Sequence, residues 1–152
     1  MDPAVLTAAV ARHDGLVDNG DERVEAISAV TLATTDMAAS VAFYERLRFH
    51  LLYGGRASRF SSFRAGGGYL NLQADEAWMP PEAMWGRVIF HVDDVDAMYE
   101  LTLTAGLTPS APPADAPWGE RFFHIRDPDG HELSFARPLP EGSSDQSARG
   151  SG

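Results

Sequence analysis

Few side chains in this sequence are equipped for chemistry. It contains no cysteine, and every one of its 12 basic residues is arginine. Thiolate nucleophiles, thiolate metal sites, disulfides and lysine Schiff bases are therefore excluded. Five histidines remain. His91 closes the run Arg87-Val-Ile-Phe-His91, where strand alternation puts Arg87, Ile89 and His91 on one face. Glu132, Ser134 and Ala136 share a face in the same way, as do Tyr69, Asn71 and Gln73. An imidazole and a carboxylate so placed can serve as acid and base or hold a cation. Glu132 can equally be paired with Arg87 or Arg121, and Arg87 can hold an anion or a carbonyl oxygen.

The other titratable groups have local explanations. Asp36 and Asp94 sit where helix N-caps belong, and Asp127 and Asp129 lie in the turn Asp127-Pro-Asp-Gly130. His13 and His50 read as surface residues, and alternation with Glu132 turns His131 away from that residue's face. For His124, two before Arg126, either face of its strand is open. Tryptophans form the other conspicuous group. Trp78-Met-Pro-Pro-Glu-Ala-Met-Trp85 and Trp118 can line a pocket for a flat or bulky apolar molecule, or simply pack a connector or a dimer. No nucleophile elbow, phosphate loop, zinc-protease helix or dinucleotide glycine fingerprint is present, and Gly66-Gly67-Gly68 reads as a turn.

The elements that position these residues come in two copies. Val30-Thr-Leu-Ala-Thr-Thr-Asp36 and the helix-like stretch to Phe49 recur 58 residues later as Val88-Ile-Phe-His-Val-Asp-Asp94 and the stretch to Leu107. In the first copy a strand over 27–34 leads to a helix bearing Val41, Phe43, Tyr44 and Leu47. In the second, a strand over 87–92 leads to a helix over 95–105, closed by Gly106. Short strands follow each helix: 49–53, 60–64 and 69–73, then 107–109, 121–126 and 132–136. Each half thus reads β-α-β-β-β. Arg48 stands where the second copy has Gly106, so either the first helix lacks a left-handed cap or Arg48 adopts a strained one.

The 152 residues carry a net charge of −10. Residues 1–26 hold six acids and two arginines, 27–140 fourteen and nine, and 141–152 two and one. That sign argues against nucleic acid or an anionic membrane as partner, fits a cationic ligand, and serves solubility in any case. Residues 1–26 read as a short helical extension and linker. The tail 139–152 is too polar to offset its ordering entropy and is expected to be disordered. With no long apolar run and no signal-peptide pattern, a cytoplasmic location is expected.

Three motifs in this order carry a family resemblance: Asp36-x3-Ser40-x2-Phe43-Tyr44-x2-Leu47-x-Phe49; Val92-x-Asp94; and Pro117-Trp-Gly119 leading to Asp127-Pro-Asp-Gly-His-Glu-Leu133. Together they resemble the vicinal oxygen chelate superfamily of glyoxalase I, bleomycin-resistance proteins, fosfomycin-resistance enzymes and extradiol dioxygenases, over residues 27–138. The resemblance implies an α+β fold of two βαβββ modules, 27–79 and 86–138. Their mixed sheets would curl into a half-barrel around a ligand cavity, with the helices outside. It also implies metal ligands on the first and last strand of each module, positions that fall here on Ala29, Asn71, Arg87 and Ser134. None is a histidine or carboxylate, and an arginine repels a divalent ion, so no metal and no other cofactor is expected.

The expectation is therefore a metal-free member close to the bleomycin-resistance branch: a homodimer that binds a bulky small molecule and confers tolerance of it, as in antibiotic resistance. Its ligand-binding residues would be Tyr69, Asn71, Gln73, Trp78, Trp85, Arg87, Ile89, His91, Trp118, Glu132 and Ser134. The alternative is a lyase, isomerase or dioxygenase with a displaced metal site, or a metal-free catalyst using His91 and Glu132. The two part on whether His91 and Glu132 come within hydrogen-bond reach or Arg87 ties Glu132 up. A third reading is an interaction module working through the acidic N-terminal extension.

Overall fold

A computed structural model describes residues 22–140. The expected N-terminal helix and nearly all of the tail lie outside the described residues. The chain divides into two compact units, Met1–Trp78 and Met79–Gly152, and each contains one β-α-β-β-β copy.

In the first unit, strand β1 (Ala29–Thr34) leads into helix α1 (Met37–Arg46), followed by β2 (His50–Tyr53), β3 (Phe60–Ala65) and β4 (Gly68–Ala74). The sheet order is β1-β4-β3-β2, with β1 parallel to β4 and the other pairs antiparallel. The second unit repeats it with β5 (Arg87–His91), helix α2 (Val95–Thr104), β6 (Ala114–Ala116), β7 (Glu120–Arg126) and β8 (Glu132–Pro138), in the order β5-β8-β7-β6. The α+β fold of two βαβββ modules, each with a mixed sheet, is therefore present.

One expected strand is absent. Residues 107–109 form no strand, and the fourth strand is instead Ala114–Ala116, paired to β7 through Ala114↔Phe122. The reason is local. Pro109, Pro112 and Pro113 have no N–H to give a ladder, and only Ser110 N reaches β7, at His124 O, 2.9 Å. The tight turn at Pro117-Trp118-Gly119, with Gly119 at φ 89°, sets the register of the short hairpin that does form.

The helix ends follow their cap chemistry. Asp36 Oδ1 accepts from Ala39 N at 3.1 Å and Asp94 Oδ1 from Ala97 N at 3.0 Å. At the C-termini the two copies make the same Schellman pair of bonds. Phe49 N reaches Tyr44 O (3.0 Å) and Arg48 N reaches Glu45 O (2.9 Å). In the second copy Leu107 N reaches Thr102 O (2.9 Å) and Gly106 N reaches Leu103 O (3.0 Å). Gly106 takes φ 78° at no steric cost, whereas Arg48 is held at φ 66°. The Tyr44–Phe49 ring contact (5.4 Å, near perpendicular) supplies the apolar clasp of the motif.

Each helix covers one face of its own sheet. Leu32, Phe63, Leu70 and Leu72 are buried with Val41, Tyr44 and Leu47, and Phe123, Ile125, Leu133 and Phe135 with Val95. Contacts assign the faces: Ser61 Oγ meets Met37 Sδ of α1 at 3.3 Å, and Tyr99 of α2 packs edge-on against Phe123 at 5.5 Å. The alternate residues of every strand therefore lie on the helix-free face.

Because Arg48 is locked left-handed by two backbone bonds, Arg48→Gly should leave stability unchanged or raise it by up to about 1 kcal/mol. Urea unfolding checks this, and a loss of about 1 kcal/mol or more would refute it.

Candidate functional site

On the second sheet the helix-free face is laid out by strand register. Parallel pairing aligns Arg87 with Glu132, Ile89 with Ser134 and His91 with Ala136. Antiparallel pairing aligns Arg126 with Glu132, His124 with Ser134 and Phe122 with Ala136. Three rows cross the sheet: Arg87, Glu132, Arg126; Ile89, Ser134, His124; His91, Ala136, Phe122. The middle strand is low, with Ser134 and Ala136 buried (2 % and 0 % exposed) between larger neighbours on both sides.

Charge is confined to the edges of this face. Arg87 donates from Nε (3.0 Å) to Glu132 Oε2, and its Nη2 lies 2.9 Å from the same oxygen. The Nη2 also lies 3.6 Å from Met84 Sδ. His91 is exposed, with Nε2 3.8 Å from Glu120 Oε2. His91 and Glu132 are not brought together: in the register His91 stands opposite Ala136, four residues beyond Glu132, or roughly 13 Å along the strand. Glu132 is tied up by Arg87.

His124, whose face was open on sequence grounds, lies on the helix-free face beside Ser134. Its pKa is lowered, first by burial and then by Arg87, against an opposing pull from Glu132. Phe122 packs on its ring (4.9 Å, 39°), and exposed Trp118 stacks on Phe122 (6.3 Å, 17°). Sequence reasoning did not assign Phe122, His124 and Arg126 to this face. The signal that assigns them is the Asp127-Pro-Asp-Gly130 turn: Asp127 Oδ1 accepts from Asp129 N and His131 N, both at 2.9 Å. That turn sets Arg126 opposite Glu132 and so fixes every pair behind it.

On the first sheet the equivalent face carries Ala29, Thr31 and Ala33 beside Tyr69, Asn71 and Gln73, then Arg64, Ser62 and Phe60. Arg64 stacks over the Tyr69 ring at 5.0 Å. Asn71 is buried and donates to Thr31 Oγ1 at 3.3 Å. Gln73 is exposed and donates to Arg59 O at 3.4 Å. Trp78 N donates to Asp75 O at 3.1 Å, at the end of this unit.

Trp85 is half exposed and tethered along one edge. Its Nε1 donates to Nδ1 of buried His131 at 3.2 Å, with the rings edge to face at 5.6 Å. Pro80 lies against Gly130, where a Cβ would meet it at 3.1 Å. The connector thus docks on the last turn, leaving a cleft of about 30 Å³ lined by Pro80 to Gly86, Arg126, Gly130 and Glu132. That is room for roughly two waters.

The donor set does not suit a divalent ion. Ala29, Asn71, Arg87 and Ser134 offer one amide, one hydroxyl and a cation, and among the described residues no three His, Cys, Asp or Glu cluster closely enough to hold a metal.

Two βαβββ units, each with a helix on one face of a mixed four-stranded sheet, define the class of fold. A sequence profile for the Glyoxalase/Bleomycin resistance protein/Dioxygenase superfamily matches residues 26–135, and the chain belongs to that superfamily. Among solved structures, TioX from Micromonospora sp. ML1 is 30% identical over 76% of this chain and 100% of its own, with a TM-score of 0.62. A bleomycin-binding protein complexed with bleomycin is 25% identical over 75% and 98%, TM-score 0.58. A lactoylglutathione lyase from Agrobacterium tumefaciens, at 20% identity over 75% and 94% with a TM-score of 0.62, shares the fold. No curated protein sequence matches. Among the described residues no helix is long and apolar enough to cross a membrane.

Two measurements check this geometry. Trp85→Phe should cost about 1–2 kcal/mol in urea unfolding, because a hydrogen bond to a buried ring is lost; unchanged stability would mean the Trp85–His131 contact contributes nothing. His124 bears on pH dependence. With its folded pKa lowered, the unfolded chain takes up this proton first as pH falls, so stability is lost below the ordinary histidine value of about 6.5. His124→Phe should shrink the loss between about pH 7.5 and about pH 5, and an identical loss in both proteins would contradict the assignment.

Proposed function

We propose that this chain is a metal-independent small-molecule-binding protein of the glyoxalase/bleomycin-resistance type, which sequesters a bulky natural product or confers tolerance of it. The supporting observation is that the four positions where the resemblance implies metal ligands carry Ala29, Asn71, Arg87 and Ser134, on faces that combine aromatic and small side chains with Arg64, Arg126, His91 and Glu132. Such a surface has shape, rings and hydrogen-bonding groups. Arg87 is already neutralised by Glu132, and His91 and Glu132 are too far apart to act as an acid–base pair.

On this reading the ligand engages the helix-free faces. Tyr69, Asn71 and Gln73 act on one sheet, and Arg87, Ile89, His91, Glu132 and Ser134 act on the other with Trp118; Trp78 and Trp85 hold the connector. The protein is cytoplasmic and acts as a homodimer, with residues 27–79 and 86–138 as its modules. Neither nucleic acid nor membrane is a partner.

The test is elemental analysis of protein purified without chelator, repeated after incubation with Ni, Zn, Mn and Fe(II) and desalting. Calorimetric titration with bleomycin as the first bulky natural product goes with it. The expected result is no stoichiometric metal and saturable binding in the presence of chelator. Stoichiometric metal that survives desalting would overturn the proposal in favour of an enzyme.

A further inference from the structure

Among the described residues, two buried side-chain atoms lack a hydrogen-bond partner: Asn71 Oδ1 and His124 Nδ1. They lie in the corresponding row of each sheet but on different strands: Asn71 of β4 stands opposite Ser62 of β3, and His124 of β7 stands opposite Ser134 of β8, each on the helix-free face. Folded chains rarely leave such atoms unmet, because each costs roughly 1–3 kcal/mol. Asn71 still spends its amide on Thr31, whereas the His124 side chain makes no hydrogen bond at all.

The two nitrogens of His124 differ in a way that decides its chemistry. Nδ1 is buried, and Nε2, equally unbonded, keeps accessible surface. A buried N–H without an acceptor is rarer than an unmet lone pair, so the proton of the neutral ring resides on Nε2. Charging the ring would place a second proton on buried Nδ1, in keeping with the lowered pKa. The ionisable groups on this face do not reverse that: Arg87 opposes the charge, the smaller opposing pull of Glu132 comes from a carboxylate paired with Arg87, Arg126 and His91 lie in the flanking rows, and Glu120 lies one row further. An N–H donor therefore stands at the inner end of an aromatic row whose outer member, Trp118, is 74 % exposed.

We propose that His124 is the polar anchor of the ligand surface, donating its Nε2–H to a carbonyl oxygen on a flat aromatic group laid along Phe122 and Trp118. This rests on the small-molecule-binding reading and supplies the ligand chemistry that reading leaves open. A neutral acceptor suits the Nε2–H, since Arg87 is already paired with Glu132 and Arg126 stands in the next row, exposed.

The experiment uses the full-length protein and two probes of matched shape, 9-fluorenone and its hydrocarbon parent fluorene. Histidine-¹⁵N-labelled protein should first show His124 neutral, with its proton on Nε2, at neutral pH; a proton on Nδ1 or a charged ring would overturn the proposal without any variant. Wild type should then bind the ketone about tenfold more tightly than the hydrocarbon, the size of one hydrogen bond. His124→Phe should erase that difference while keeping the affinity for fluorene. Equal binding of both probes by wild type would remove His124 as anchor and leave the binding reading standing. Binding of neither would overturn both.

Discussion

A ten-residue helix is about 15 Å long and roughly 10 Å across, which is enough to cover one face of a four-stranded sheet and no more. That constraint governs the whole molecule. In each unit the strand alternation spends Leu, Phe and Ile on the covered face and leaves the other face to residues chosen for something else. On the helix side the buried positions are mostly large and apolar, with Thr34 and Ser61 as exceptions. On the free side Ser62, Asn71, Ser134 and Ala136 are small or polar yet buried. A face that is buried but not oily carries polar groups whose hydrogen bonds must be met there or left open, and this is why the two unmet atoms fall on these faces and nowhere else among the described residues.

The polar groups on the second sheet sort themselves by electrostatics. Arg87 and Glu132 meet because parallel register sets them side by side, and their pairing removes both a free cation and a free carboxylate from the face. His91 lies too far along its strand to share in that pair, and at the exposed edge it faces only Glu120. Ala29, Asn71, Arg87 and Ser134 are a poor donor set for a divalent ion, and the register does not bring His91 to Glu132. What remains in the middle row is His124, with Phe122 packed on its ring.

Much of this was legible in the residues. Asp36 and Asp94 announced their helices because a side-chain cap is a local interaction, complete within four residues. The Asp127-Pro-Asp-Gly130 turn announced the last hairpin for the same reason. The missed strand shows where local reading stops. Leu107 and Thr108 have the composition of a strand, but the prolines after them deny the ladder its donors, and pairing instead starts from the Gly119 turn. His124 was undecidable from its own segment because the face of a strand is a property of its partner, and its partner is Ser134. Trp85 is a similar case. Nothing in its neighbourhood names His131, 46 residues away, as the acceptor that tethers it.

Arg48 and Gly106 show how the repeat tolerates divergence. Both positions make the same two backbone bonds and both are left-handed, but only glycine adopts that conformation freely. The first unit compensates with the Tyr44, Phe49 and Phe63 ring cluster, where Phe49 packs against Tyr44 at 5.4 Å and Phe63 at 6.3 Å. Those contacts hold the residue after Arg48 in place, and the backbone of Arg48 must follow. In the second unit Leu107 occupies the place of Phe49, and no aromatic clasp is needed because Gly106 resists nothing. The strain at Arg48 is thus set by the packing of Phe49, within the first unit's own ring cluster.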